Sequence, residues 1–130
     1  MTSVLDTVSF DCADPTRLAD FWARSLGWEV GDDDDDGDAF ISPAGTTDDT
    51  PWQGIYFQNV PEGKVVKNRV HLDLRPLDSM SKEVERSVEL GATVQGRVDV
   101  EGSFWTVMLD PEGTEFCILR GPEDGWIRAG

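Results

Sequence analysis

The sequence predicts an α+β fold in which one βαβββ unit occurs twice in tandem. Three observations carry this prediction. Short stretches alternate apolar and polar residues at strand spacing. Two of these stretches lead into amphipathic helices with their own start and stop signals. The two sets lie 64 residues apart, with Val8 falling on Leu72, Thr7 on His71 and Leu26-Gly27 on Leu90-Gly91. Each half offers one helix and four strands, too little to close a core alone. The sheets are therefore expected to join into an incurved mixed sheet around a central cup, with one helix per module on its outer face.

The first module spans about residues 4–59 and opens with Val8, Phe10 and Cys12 alternating against Thr7, Ser9 and Asp11. Asp14-Pro15 then reads as a helix start, an acceptor side chain at the N-cap with proline at the first helical position. Leu18, Phe21, Trp22 and Leu26 form one apolar stripe, and Gly27 stands where a left-handed cap ends the helix, so Pro15 to Leu26 is helical. Trp28 to Val30, Ala39 to Ser42 and Gly54 to Asn59 follow as extended segments between acidic, turn-rich connections.

The second module spans about 69–120, after a linker of about 60–68, and the two together make one domain over residues 1–130. Arg69 to Arg75 alternates strictly, with Val70, Leu72 and Leu74 on one face and Arg69, His71, Asp73 and Arg75 on the other. A helix from about Met80 to Leu90 carries Met80, Val84 and Val88 on one stripe and ends at Gly91. Val94 to Val98, Phe104 to Leu109 and Glu115 to Leu119 complete the unit as strands.

Composition narrows the function. With 11 Lys+Arg against 26 Asp+Glu, the formal net charge of −15 argues against nucleic-acid binding, which needs basic side chains on phosphates. Hydrophobic residues at 38%, with five Trp and six Phe, are too plentiful for a disordered acidic chain. No stretch approaches the roughly 18 apolar residues of a membrane span, and the first residues lack the basic start and apolar run of a signal peptide. No membrane association and a cytoplasmic location are expected. Cys12 and Cys117 are read as reduced thiols.

Several motifs are set aside. Asp32 to Asp36 and Gly37 match the opening of a calcium loop, but Pro43 stands where a bidentate Glu is needed. The run is read as a solvated hairpin loop. Lys64 to Arg69 is a local positive cluster that serves either as plain linker charge or as an anchor for an anionic substrate at the cup rim. Among the tryptophans, Trp22 belongs to the core, whereas Trp28, Trp52, Trp105 and Trp126 are available to line a pocket or an interface, with Trp52 placed for a lid. There is no Gly-rich phosphate loop, nucleophile elbow or CxxC, and a single His.

In this order and spacing, Asp14-Pro15, Phe21-Trp22, Leu26-Gly27-Trp28, Lys67 to Leu74, Leu90-Gly91-Ala92 and Asp110 to Phe116 resemble the vicinal oxygen chelate superfamily. This is the glyoxalase, bleomycin-resistance and extradiol-dioxygenase group, and the chain is most similar to a glyoxalase-like domain. The resemblance implies a cup that holds a metal or ligand, often completed in a homodimer. Its metal-dependent members place a ligand on the first and last strand of each half, two His and two Glu. Carried onto this sequence, those positions fall on Thr7, Gln58 (or its neighbour Phe57), His71 and Cys117. Only His71 keeps the family's ligand type, so no metal cofactor is expected. A divalent metal, if bound, falls to His71, Glu115 and Cys117, with Asp73 a further donor.

Strand alternation extends the ligand-binding cup to Ser9, Asp11, Tyr56, Arg69, Asp73, Arg75 and Glu115, with Trp52 at its mouth. Asp73 is expected to pair with Arg69 or Arg75, and Asp11 with Arg75, either as a structural network or as a polar pocket for an ionic substrate. His71 is the candidate catalytic residue, as general acid or base; the alternative is a hydrogen-bonded histidine without chemistry. Three functions follow. The first is a small-molecule-binding protein for a cationic or aromatic ligand, as in the bleomycin-resistance proteins it resembles, which sequester a cationic antibiotic. The second is a lyase, isomerase or dioxygenase using His71. The third is a homodimeric scaffold with a degenerate cup.

Overall fold

The computed structural model describes residues 2–3, 5–32, 37–46 and 54–127. In chain order its elements are β1 (Thr7–Cys12), α1 (Pro15–Leu26), β2 (Glu29–Val30), β3 (Ala39–Ser42), β4 (Gly54–Asn59), β5 (Leu72–Leu74), α2 (Met80–Glu89), β6 (Thr93–Val100), β7 (Ser103–Leu109) and β8 (Glu115–Leu119). The α+β order βαβββ thus occurs twice. The chain divides into two compact units between Lys64 and Val65, within the 60–68 segment read as the connection.

In the first module the strand order is β1-β4-β3-β2, with β1 and β4 parallel and the other neighbours antiparallel. Helix α1 connects β1 to β2, packs against β2, β3 and β4, and forms where its signals predict. The Asp14 carboxylate accepts the Arg17 N–H at 3.2 Å, and Gly27, at φ 68°, closes the helix by donating its N–H to the Ala23 carbonyl. The helix buries Leu18, Phe21 and Trp22 against one sheet face. There Phe10 meets Trp22 and Phe57 edge to face, with centroids 5.9 and 5.5 Å apart. Such pairs contribute about 0.5–1.5 kcal/mol beyond burial. Gly54, at φ 145°, passes so close to the Ile41 carbonyl that a Cβ has no room.

The second module repeats the topology as β5-β8-β7-β6, again with its first and last strands parallel. It departs from the sequence reading in two places. Strand β5 covers only Leu72–Leu74 of the predicted Arg69–Arg75, and Val70, expected on an inner face, is 75% exposed. Ahead of β5 the Glu115 carboxylate accepts the Asn68 N–H at 3.0 Å, so a side chain, not a strand ladder, holds the chain there. Helix α2 keeps only part of the predicted stripe, with Met80 buried and Val84 half-buried. Val88 is 45% exposed, and Ser87 is buried in its stead. Polar contacts anchor the helix: Ser79 accepts the Lys82 N–H, Asp124 accepts the Met80 N–H at 2.7 Å, Arg86 pairs with Asp78 at 2.7 Å, and Lys82 pairs with Glu123 at 2.9 Å. In β6 a bulge between Val94 and Gly96 shifts the register against β7.

Both cysteines are buried and neither is in a disulfide. No described helix is long and apolar enough to cross a membrane. Trp52 and Asp33 to Asp36 lie outside the described residues.

Candidate functional site

The second sheet has two unlike faces, and strand alternation sorts its side chains between them. Thr106, Met108, Phe116 and Ile118 are buried on one face, where the Thr106 hydroxyl donates to the Met80 sulfur of α2 at 3.4 Å. Trp105 and Val107 of β7, Glu115, Cys117 and Leu119 of β8, Val98 of β6, and Lys67, His71 and Asp73 line a cavity of about 490 Å³ on the other. That volume suits a small organic ligand, for which pockets of roughly 300–1,000 Å³ are usual.

The polar side of the cavity is tightly connected. His71, one residue before β5, places Nδ1 3.2 Å from Oδ1 of Asp73. Parallel pairing sets Asp73 directly beside Cys117. The Cys117 thiol is raised above its usual pKa, first by burial, then by the negative charge of Asp73 and the hydrogen bond it donates to that carboxylate; Lys67 acts in the opposite sense. It is therefore a neutral thiol at neutral pH. One donor atom from each of His71, Asp73 and Cys117 lies within 4.8 Å of the other two. Glu115 stands apart from that trio, as its carboxylate holds the Asn68 N–H.

The predicted site residues of the first module belong to its own sheet. Thr7, Ser9, Asp11, Tyr56 and Gln58 share one face of the first sheet, since Ser9 pairs with Tyr56 and Asp11 with Gln58, while Phe57 turns to the other face and the core. Register corrects the expected counterpart of Cys117. With Val8 equivalent to Leu72, the pairing of Val8 with Ile55 and of Leu72 with Phe116 makes Tyr56, not Gln58 or Phe57, the equivalent of Cys117. The Tyr56 hydroxyl donates to Asp38 at 2.6 Å, and Asp38 is held below the usual carboxylate range first by the Asn59 N–H and then by this bond.

The arginines also depart from expectation. Arg69 is exposed and does not line the cavity. Arg75 donates to the Arg120 carbonyl at 2.8 Å and lies 4.1 Å over the Trp126 ring, in place of the predicted pairs with Asp73 and Asp11. Asp73 takes His71 as its partner because the bend before β5 carries Arg69 away. The apolar wall of Val98, Val107 and Leu119 was missed as a site feature, although alternation from Trp105 and Cys117 marks two of the three. Lys67 and Trp105 emerge from larger groups, one basic cluster and four unassigned tryptophans, as the members that reach the cavity.

The donor chemistry decides how a metal could fit. At the four positions that the resemblance implies stand a hydroxyl at Thr7, an amide at Gln58 or phenol at Tyr56, an imidazole at His71 and a thiol at Cys117. Hydroxyl and amide or phenol are weak donors for a transition metal, so the four-position arrangement does not fit. The three clustered donors of the second module do fit a borderline ion, because imidazole, carboxylate and thiolate are its customary ligands.

A family model described as a glyoxalase-like domain matches residues 7–119. No curated protein matches the sequence. Among solved structures, a mutant of the fosfomycin resistance protein FosX from Listeria monocytogenes, complexed with Mn(II) and 1S,2S-dihydroxypropylphosphonic acid, is 17% identical. The match covers 93% of this chain and 92% of that one with a TM-score of 0.70. A glyoxalase/bleomycin resistance protein/dioxygenase family enzyme from Burkholderia phytofirmans PsJN is 17% identical over 89% of this chain and 97% of that one, at a TM-score of 0.68. A member of the same superfamily from Sphaerobacter thermophilus is 18% identical over 92% and 98%, at 0.63. At such identities these structures share the fold, as its two βαβββ modules require. With the family match covering most of the sequence, the chain belongs to the glyoxalase-like domain family.

Proposed function

We propose that the protein binds a small organic molecule, aromatic and cationic, on the cavity face of its second module and thereby removes it from solution. The observation that carries this reading is the make-up of the cavity: Trp105, Val98, Val107 and Leu119 offer an apolar wall, and Asp73 and Glu115 outnumber Lys67 among the charged groups. An indole face favours planar ligands and cations together. The overall charge of −15 adds long-range attraction for a cation. The test is a tryptophan-fluorescence titration with planar aromatic amines and, in parallel, aromatic carboxylates of matched size. Saturable quenching by the amines, weakened about tenfold or more by Trp105→Ala, supports the reading. Equal affinity for the carboxylates, or binding indifferent to Trp105→Ala, overturns it.

A second reading, an enzyme of the superfamily with His71 as general acid or base, draws on the 3.2 Å contact of His71 with Asp73. A neutral imidazole donating its Nδ1–H to Asp73 keeps Nε2 as a proton acceptor. In that case His71→Ala abolishes turnover while ligand affinity survives. Homodimerisation belongs to this proposal, supported by the resemblance and by exposed Val65, Val70 and Leu77; a 14.4 kDa species in native mass spectrometry at micromolar concentration counts against it. Two buried cysteines outside any disulfide support a reducing, cytoplasmic setting.

A further inference from the structure

We infer that the cavity of the second module selects arylalkylamines, in which a flexible methylene spacer separates an aromatic ring from a cationic nitrogen, with the nitrogen on Asp73 and the ring on Trp105. The inference deepens the reading of the cavity as a site for an aromatic cation, on which it rests, by naming the class of ligand and the residue that recognises its charge.

Strand register separates a polar end of the cavity from an apolar one. Asp73 pairs with Cys117, Cys117 with Val107, and Leu119 with Trp105, which in turn pairs with Val98. Leu119, Trp105 and Val98 therefore form one apolar and aromatic row across the sheet, whereas His71, Asp73, Glu115 and Cys117 gather on β5, its approach and the first half of β8. Asp73 and Trp105 stand two strands and two residues apart. With neighbouring strands about 4.8 Å apart and a rise of about 3.3 Å per residue, their backbones lie about 12 Å from one another. A hydrogen bond to the carboxylate and an offset stack on the indole take up part of that span, leaving about 5–8 Å between nitrogen and ring centre, the reach of about two to four methylene groups. A charge carried on the ring or next to it cannot meet both residues at once.

Asp73 is the carboxylate placed to take the charge. Its side chain is 50% exposed, with Nδ1 of His71 3.2 Å from one oxygen, and it accepts the Cys117 thiol as well. An ionised carboxylate offers about four acceptor positions, so these contacts leave room for an ammonium group. Glu115 is placed differently: it is 7% exposed, and its carboxylate already accepts the Asn68 N–H. It acts on the ligand at longer range. Together with Asp73 it outweighs the single positive charge of Lys67, so the polar end of the cavity favours a cation.

The test titrates the full chain, in buffer containing EDTA, with benzylamine, 2-phenylethylamine, 3-phenylpropylamine and 4-phenylbutylamine, each against the alcohol of the same length, followed by tryptophan fluorescence and calorimetry. The ratio of the alcohol Kd to the amine Kd isolates the charge, because each added methylene favours both members alike. That ratio should lie within about twofold of unity for benzylamine and reach about fivefold or more for at least one of the longer amines. Asp73→Asn should return it to within about twofold of unity while changing the alcohols little, as a double-mutant cycle requires of a direct contact. A ratio equal across the series, or one that Asp73→Asn leaves unchanged, overturns the inference; the series on the parent chain decides the point even if the variant misfolds. Amines that bind through Trp105 without regard to spacer length sink this inference and leave the broader reading standing. No binding by any amine, or binding indifferent to Trp105→Ala, sinks both.

Discussion

The two modules share a backbone plan and divide its uses. Strand order, the parallel outer pair and the position of the helix repeat, yet equivalent side chains differ in kind. Where the second module has His71, Asp73 and Cys117, the matching register positions of the first are Thr7, Ser9 and Tyr56, three hydroxyls. The helices differ in the opposite direction. Helix α1 buries Phe21 and Trp22 completely, whereas α2 buries only Met80 and Ser87 and depends on ion pairs and caps. A duplicated fold can thus keep its topology while apolar packing is concentrated in one copy and reactive groups in the other. Hydroxyls at the first copy's positions hydrogen-bond but neither bind transition metals well nor titrate near neutrality.

The largest contrast between the modules is expected in their helices. Trp22→Ala should destabilise the protein by about 3–5 kcal/mol in urea denaturation, the range for truncating a large buried aromatic. Arg86→Ala, which removes the pairs with Asp78 and Glu83, should cost far less, because exposed ion pairs contribute little. Equal losses would show that the two helices are held alike. Next in size is Trp105→Ala, expected to weaken aromatic-amine binding about tenfold while leaving the urea midpoint near that of the parent, since Trp105 is only half-buried.

A smaller effect follows from acid. Asp78 is held at about 2, chiefly by its bond to Arg86, so its folded-state value lies below the unfolded one. The stabilisation is therefore complete above about pH 4 and is lost as the pH falls toward about 2. Asp124, lowered by the Gly121 and Met80 N–H groups, acts in the same sense on the same helix. Melting temperatures measured between pH 5 and pH 2.5 should fall for the parent and fall less steeply for Arg86→Ala. The smallest effect is predicted for Tyr56→Phe, which removes the bond to Asp38 but should leave amine affinity within about twofold, as expected of a residue outside the cavity. A tenfold loss there would return the first module to the binding site.

What the sequence made legible follows the reach of each interaction. Helix α1 was readable because Asp14, Pro15, the apolar stripe and Gly27 all act locally. The true length of β5 was not: the chain ahead of it meets Glu115 through Asn68, a contact between residues 47 apart that alternation does not mark. Alternation placed His71, Asp73, Glu115 and Cys117 on one face, but not the partner each would choose: Asp73 was assigned an arginine and takes a histidine. The equivalence of Tyr56 with Cys117 rests on parallel register, which joins distant strands and leaves no local mark. The stripe on α2 misled because Val88 occupies an apolar position that the fold leaves in solvent.

Amide NMR of the full chain titrated with a planar aromatic amine decides whether ligand binding resides in the second module. Shifts are expected to be confined to Lys67–Asp73, Val98, Trp105–Val107 and Glu115–Leu119 and to saturate at one equivalent. Shifts of equal size at Thr7 and Gln58, or no saturable shift around His71 and Cys117, would contradict it.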